Sequence, residues 1–220
     1  MLVTYEDIRN DESIKCYITE ADKALSALGY TEHSFPHVVK AATMAEMILL
    51  TLNYPKRTAE LAKIAGYMHD IGNIVNRIDH AQSGAVMAFR LLDRMGMDPA
   101  EIAMVISAIG NHDESTAAAV NPIAAALILA DKTDVRRSRV RNHDFASFDI
   151  HDRVNYAVEE SKIYFNEDNS AIILDLKIDT SISAVMDYFE IFLERMVLCR
   201  KAAEKLGLQF KLMINEQSLI

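Results

Sequence analysis

A carboxylate at the end of a run of alanines and leucines calls for a chemical reason. Asp131 closes the stretch Ala124-Ala-Ala-Leu-Ile-Leu-Ala130, where an ionised side chain is costly unless it is paired or bound to a cation. His69-Asp70 repeats the anomaly inside Ile64-Ala-Gly-Tyr-Met-His-Asp-Ile-Gly72. His112 continues the apolar face of Ile102, Val105 and Ile109, so it points coreward. His37 and His80 fall in the first turns of two further helices. Imidazoles and carboxylates pointing inward from separate helices are the makings of a metal site in a helical bundle. The mixture suits hydrolysis: neutral imidazoles hold a first-row ion, and carboxylates add negative charge and can bridge two ions. With no thiolate in the set, one or two ions of Mn, Fe, Co, Ni or Zn are expected rather than a structural zinc.

Taken singly, each group has an ordinary reading. A lone core histidine is usually a satisfied side chain, Asp131 could pair with Arg137 or Arg139, and His-Asp is a common dipeptide. His33 precedes His37 by four residues, but Pro36 leaves it outside the helix, as an outer neighbour of the site or a surface residue. His143 and His151 lie in a polar stretch and read as solvated.

The elements that must position these groups are mostly helices. Apolar spacing predicts a helix over 13–28 stopped at Gly29, a second from Ser34–Pro36 to about Leu52, and a third from Thr58 to near Gly72. Asp79 with Gln82 resembles a capping box opening a helix to about Met95. Asp98-Pro99-Ala100-Glu101 opens another to about Gly110, and Asn121-Pro122 starts the apolar helix reaching about Val135. Asp149 to Glu159 suits a further helix. The pattern then changes: Ala171–Ile178 and Leu208–Ile214 alternate with strand period, and a long helix capped by Ser181 runs between them to Gly207. The fold expected is mainly α, one domain over 1–220, with a helical core at about 20–140. A small α+β extension at about 145–220 carries two short strands and the long helix.

Composition sets the outer bounds. The chain has 220 residues, half of them apolar, enough for a sizeable core. With 23 basic against 32 acidic residues the net charge is −9, which disfavours a nucleic-acid or anionic-membrane binder. No apolar run approaches the roughly 18 residues of a membrane span, and no basic-plus-apolar leader opens the chain. Cys16 and Cys199 form no metal or redox spacing and read as reduced thiols of a cytoplasmic protein.

The order of the chemical blocks resembles the HD superfamily of metal-dependent phosphohydrolases. His37-Val38, His69-Asp70-Ile71-Gly72 and Ala130-Asp131-Lys132 carry the resemblance. His80 before Ser83-Gly84-Ala85, and His112 within Ile109-Gly-Asn-His-Asp-Glu114, are similar to the extra ligands of its two-metal members. The resemblance implies an all-α bundle in which His37, His69, Asp70 and Asp131 hold a first ion. Asp70 would bridge to a second held by His80 and His112. His69 and Asp70 would then sit at the catalytic centre, where a metal-bound hydroxide attacks phosphorus. It leaves the segment after 145 unexplained.

Two departures narrow the branch. Asn73 stands where many relatives carry a lysine, removing a phosphate contact. The Gly-Tyr-Pro motif of the cyclic-di-GMP branch is absent, so that substrate is not assigned; the ligand set resembles bacterial HD proteins that cleave dinucleoside polyphosphates. The expected partner is therefore a small, phosphorylated, nucleotide-like substrate, with no nucleic acid and no membrane, and the long C-terminal helix leaves room for a homodimer. Lys40, one turn beyond His37, and Lys132, Arg136, Arg137, Arg139 and Arg141 after Asp131 are the candidate phosphate contacts, against an ordinary role as surface charges. Two other functions use the same ligands: a diiron HD-type oxygenase, which mixed-valent iron and oxygen consumption would reveal, and a nucleotide-sensing module that binds without turnover.

Overall fold

In a computed structural model of the chain, residues 2–142 and 144–219 are described. The architecture is mainly α with an α+β C-terminal extension. Helix α1 (Tyr5–Asn10) opens with a capping box between Thr4 and Asp7, and α2 (Glu12–Ala27) starts where the Asp11 carboxylate accepts from the amides of Ser13 and Ile14. These lead into α3 (Phe35–Thr51), α4 (Lys56–Met68), α5 (His80–Arg94), α6 (Pro99–Gly110) and α7 (Pro122–Lys132). Asp98 and Asn121 cap α6 and α7, each followed by a first-turn proline.

Helix α7 is buried from Ile123 to Lys132 and packs against α3, α4 and α6, with α9 (Val185–Lys205) along another side. Surrounded in this way, it needs apolar residues all round, and that is what its sequence supplies. Asp131 therefore comes to rest at the C-terminal end of the central helix, where backbone carbonyls already make the potential negative. Only cations can make that position tolerable.

Beyond α8 (Ile150–Ala157) the chain enters a sheet of β1 (Val158–Phe165), β2 (Ala171–Ile178), β3 (Gln209–Ile214) and β4 (Gln217–Ser218), in that spatial order. β1 and β2 form an antiparallel hairpin, β2 and β3 run parallel through the α9 crossover, and β4 turns back on β3. Two of these strands match the sequence reading; β1 and β4 are additions to it. Val158 and Glu159, expected at the end of a helix, instead begin β1. The long helix starts at Val185 rather than at Ser181, because the Asp179 carboxylate takes the Ser181 amide and hydroxyl into a turn of its own. Asp79 makes no side-chain cap at α5; it adopts a left-handed conformation, φ 57°, and Gln82 reaches Thr116 Oγ1 at 3.0 Å. One apolar core runs from Val3 through the helices into β2, α9 and β3. No described helix is long and apolar enough to cross a membrane.

Candidate metal centre

Two glycines bring the chemical groups together. A Cβ on Gly66 of α4 would lie 2.7 Å from Ala42 Cα of α3, so the two helices approach as only a glycine permits. That contact sets His37 on α3 beside His69 at the end of α4. Helix α4 stops at Met68, and His69-Asp70 lead into a 3-10 turn at Ile71–Ile74. Gly72 in that turn is pressed on α5: a Cβ there would lie 2.0 Å from the His80 carbonyl and 2.4 Å from Gly84 N. The turn thereby seats Asp70 between the His37/His69 pair and His80.

All four histidines of the centre are buried. Each directs Nδ1 outward to a fixed acceptor: His37 to Asp134 Oδ2 at 2.8 Å, His69 to the Gly66 carbonyl at 2.8 Å, His80 to the Arg77 carbonyl at 3.0 Å and His112 to the Ile109 carbonyl at 2.6 Å. A carbonyl or carboxylate only accepts, so in each neutral ring the proton sits on Nδ1 and Nε2 carries a lone pair. Those lone pairs face one another. His37 Nε2 lies 3.3 Å from His69 Nε2, and His80 Nε2 lies 3.2 Å from His112 Nε2.

The carboxylates complete the arrangement. Asp70 Oδ2 is 3.2 Å from His69 Nε2 and 3.6 Å from His37 Nε2, while its other oxygen is 3.6 Å from His80 Nε2 and 3.9 Å from His112 Nε2. One oxygen thus faces each imidazole pair. Asp131 Oδ1 joins the first pair, 3.2 Å from His37 Nε2 and 3.6 Å from His69 Nε2. With the rings neutral, four lone pairs and two buried carboxylates crowd one small volume, and the donors that reach them, Asn73 at Asp70, Lys132 at Asp131 and Arg77 at His80, are fewer than the acceptors. The set fits one or two divalent cations.

The electrostatics agree. Burial alone would lower His69, yet Asp70 and Asp131 outweigh it and lift the imidazole to about 10. The field that draws a proton there also draws a metal cation. Burial works against ionised Asp131, but Lys132, His69 and His37 hold it well below the usual carboxylate range. Asp70 is likewise held far down by His69 and its neighbours in spite of burial. His112 is lowered well below an ordinary imidazole, chiefly by burial, and His80 is lowered by burial with Arg77 adding to it.

A cavity of about 460 Å³ opens onto the cluster, lined by Asp70, His80, His112 and Asp131. Among the candidate phosphate contacts, Lys132 and Arg139 reach its wall. Lys40 instead sits behind His37, its Nζ 2.7 Å from Asp134 Oδ1. Arg136 pairs with Asp134 and Glu32, Arg137 donates to the Tyr156 carbonyl and stacks on that ring, and Arg141 pairs with Asp22. Asp131 pairs with neither Arg137 nor Arg139; Lys132 Nζ lies 2.8 Å from its Oδ2. His33 is half-buried, packs edge-on against His37 and lines the cavity. His151 is exposed at its rim, and His143 lies outside the described residues. A larger open cleft of about 770 Å³ on the sheet is lined by Glu159, Glu160, Asp175, Asp179 and Glu216, and its two lysines, Lys162 and Lys177, are paired with Glu160 and Glu159, a poor setting for an anion.

Three residues of the site escape the sequence reading, and a fourth, Asn73, takes a role that reading did not give it. Asp134 is buried behind His37 and gathers Lys40, Arg136 and Arg139. Its one available signal is position, a helical turn beyond Asp131. Asn73 Nδ2 donates to Asp70 Oδ1 at 2.9 Å, so it steadies the carboxylate that lies between the two imidazole pairs. Arg77 places Nη1 3.4 Å from His80 Nε2, and Arg195 of α9 reaches the cavity from the extension. Neither arginine has a local sequence signal.

Residues 34–136 match the family model of the HD domain. Over that segment the chain is similar to the HD domain. The match spans all six converging side chains together with Asp134, and α8, α9 and the sheet lie outside it. A crystal structure of a predicted HD superfamily hydrolase from an uncultured Thermotogales bacterium is 28% identical in sequence, covering 56% of this chain and 67% of that one, with a TM-score of 0.45. No curated protein matched the chain. The matched segment thus supplies the ligand cluster, and the extension adds Arg195 and the α8 residues to the cavity wall.

Proposed function

We infer that this chain is a metal-dependent phosphohydrolase acting on small nucleotides or related phosphate esters. The observation that carries the reading is the set of four inward Nε2 lone pairs around two carboxylates, opening directly onto a cavity with cations in its wall. His37, His69, Asp70 and Asp131 would hold one ion, and Asp70, His80 and His112 a second. Such ions, when bound, activate water as a nucleophile near neutral pH and offset charge on a phosphoryl group.

The chain's own residues do the rest. Asn73 fixes the Asp70 carboxylate so that each oxygen keeps to its own imidazole pair. Lys132 and Arg139 set positive charge in the cavity wall, where a phosphate would enter. The cavity volume falls within the roughly 300–1,000 Å³ usual for small-molecule sites, which supports a nucleotide-sized ligand over a polymer.

The test is phosphate release from a panel of nucleotides and simple phosphate esters with Mn²⁺, Co²⁺ or Fe²⁺, comparing the native chain with Asp70→Ala. Removing the shared carboxylate forfeits several kcal/mol of charge stabilisation, so activity should fall on the order of a thousandfold. Equal release by both proteins would refute the assignment.

A further inference from the structure

We propose that Arg195, on the long helix of the C-terminal extension, binds the substrate phosphate and makes the extension part of the catalytic pocket. The proposal rests on the phosphohydrolase reading of the cavity and goes beyond it, because Arg195 lies outside the HD domain match at 34–136.

Arg195 lines the cavity alongside Asp131 and Lys132. Its guanidinium carbon lies 4.7 Å from the centre of the Phe192 ring, one turn earlier on α9, so its approach is fixed by the helix itself. Nε pairs with Glu114, in the segment following α6, and the side chain keeps 30% of its exposure. Among the described residues Glu114 is its one ion-pair partner, and that carboxylate is not its own. Lys132 Nζ shares Glu114 at 3.0 Å while also holding Asp131 at 2.8 Å.

The charge count at this wall changes when the cluster binds a cation. As the structure stands, Lys132 and Arg195 face Glu114 and Asp131, two cations against two carboxylates. Once Asp131 is committed to a divalent ion, Lys132 and Arg195 are left with Glu114 alone. One positive charge is then unbalanced at the cavity wall next to the place where a phosphoryl group would sit. With Nε engaged, the guanidinium still has its two terminal nitrogens, whose paired N–H groups match two phosphate oxygens. The arrangement is one of an anion site that becomes active when the centre is loaded.

A plainer role is available for the same contacts: Arg195 could merely tie α9 to the segment after α6 through Glu114. The two roles separate under substitution. The probe is inorganic phosphate, titrated by calorimetry into the full, Mn²⁺-loaded chain, with metal content and thermal midpoint measured in parallel. Arg195→Gln should weaken phosphate binding at least about tenfold, the loss of a charge-assisted hydrogen bond, with the metal content of the native protein. Arg195→Lys, which keeps the charge and loses the fork, should fall between the two. Glu114→Gln frees the guanidinium and should bind phosphate as tightly as the native chain or more so.

Native affinity in Arg195→Gln, an absence of phosphate binding by the native protein, or a loss in Glu114→Gln equal to that in Arg195→Gln would each overturn the proposal. If Arg195→Gln does not fold, Arg195→Lys decides, and native affinity there overturns it. The hydrolase reading fails separately, through undiminished phosphate release by Asp70→Ala. Unchanged phosphate affinity in Arg195→Gln beside Asp70-dependent hydrolysis would remove Arg195 and leave that reading standing.

Discussion

The two oxygens of Asp70 look into different surroundings. On one side His37 and His69 share their space with a second carboxylate, Asp131, and His37 is backed by a third, Asp134. On the other, His80 and His112 have Asp70 itself, Asp113 Oδ1 at 3.9 Å from His80, and an arginine at 3.4 Å. The imidazoles are alike in burial and in the direction of their Nδ1 hydrogen bonds. What differs is the charge behind them. Identical donor atoms therefore offer unequal sites: the first half of the centre should hold a divalent ion tightly, and the second half should hold one more loosely.

The strongest way to break this comparison is to delete the weaker half. Changing His80 and His112 together to alanine removes both nitrogen donors on that side and leaves His37, His69, Asp70 and Asp131 in place. Metal analysis after dialysis should fall from two ions per chain to one, and the remaining ion should keep its native affinity. Retention of both ions would defeat the division into two halves. Loss of both would show that the halves are one cooperative site.

A second substitution weakens the stronger half without touching a ligand. Asp134 accepts from His37 Nδ1 and carries a full negative charge, with Lys40, Arg136 and Arg139 around it. Asp134→Asn keeps the shape and removes the charge that makes His37 a better donor. Outer partners of metal-bound histidines are typically worth about 10–100-fold in affinity. Competition with a chromogenic chelator should show the tighter ion weakened by that amount and the looser ion unchanged. A loss shared equally by both ions would mean that Asp134 supports the fold of the whole centre.

How far these features are legible in the sequence depends on whether the anomaly is local. Asp131 and His69-Asp70 stand out because ionisable groups interrupt apolar helical runs, and no other residue is needed to see the conflict. Asp134 is as buried as they are, yet Asp131-Lys-Thr-Asp134-Val-Arg-Arg reads as a polar helix end. Its role is created by His37, 97 positions earlier. Lys40 fails in the opposite sense: helical spacing puts it near His37, but the carboxylate that takes it lies behind the ring and away from the cavity. In the fold, α6 and α7 are announced by caps and prolines, which are local signals. β1 is not, since Val-Glu-Glu-Ser-Lys-Ile-Tyr-Phe becomes a strand through pairing with β2, and its outer edge is charged and polar. Arg195 shows no mark among its helical neighbours, because the cavity it meets is assembled, apart from Phe192, from residues before 156.

Arg77 offers the finest adjustment of the comparison, with a gain rather than a loss as the expected sign. Its Nη1 lies 3.4 Å from His80 Nε2 and 3.3 Å from Asn73 Oδ1, with the guanidinium 5.6 Å from the centre of the Tyr30 ring. A cation so placed opposes a second cation at the same nitrogen. Arg77→Gln removes the charge and keeps the main-chain carbonyl that accepts from His80 Nδ1, so the imidazole stays oriented. Because the arginine is partly exposed, solvent screens the repulsion to roughly 1 kcal/mol or less, a few-fold in affinity. The looser ion should therefore bind a few-fold more tightly in Arg77→Gln, with the tighter ion unaffected, and the two halves should move closer together. Weaker binding at the second half would instead give Arg77 the task of holding His80 in place through its side chain, and the inequality of the halves would then need a source other than charge.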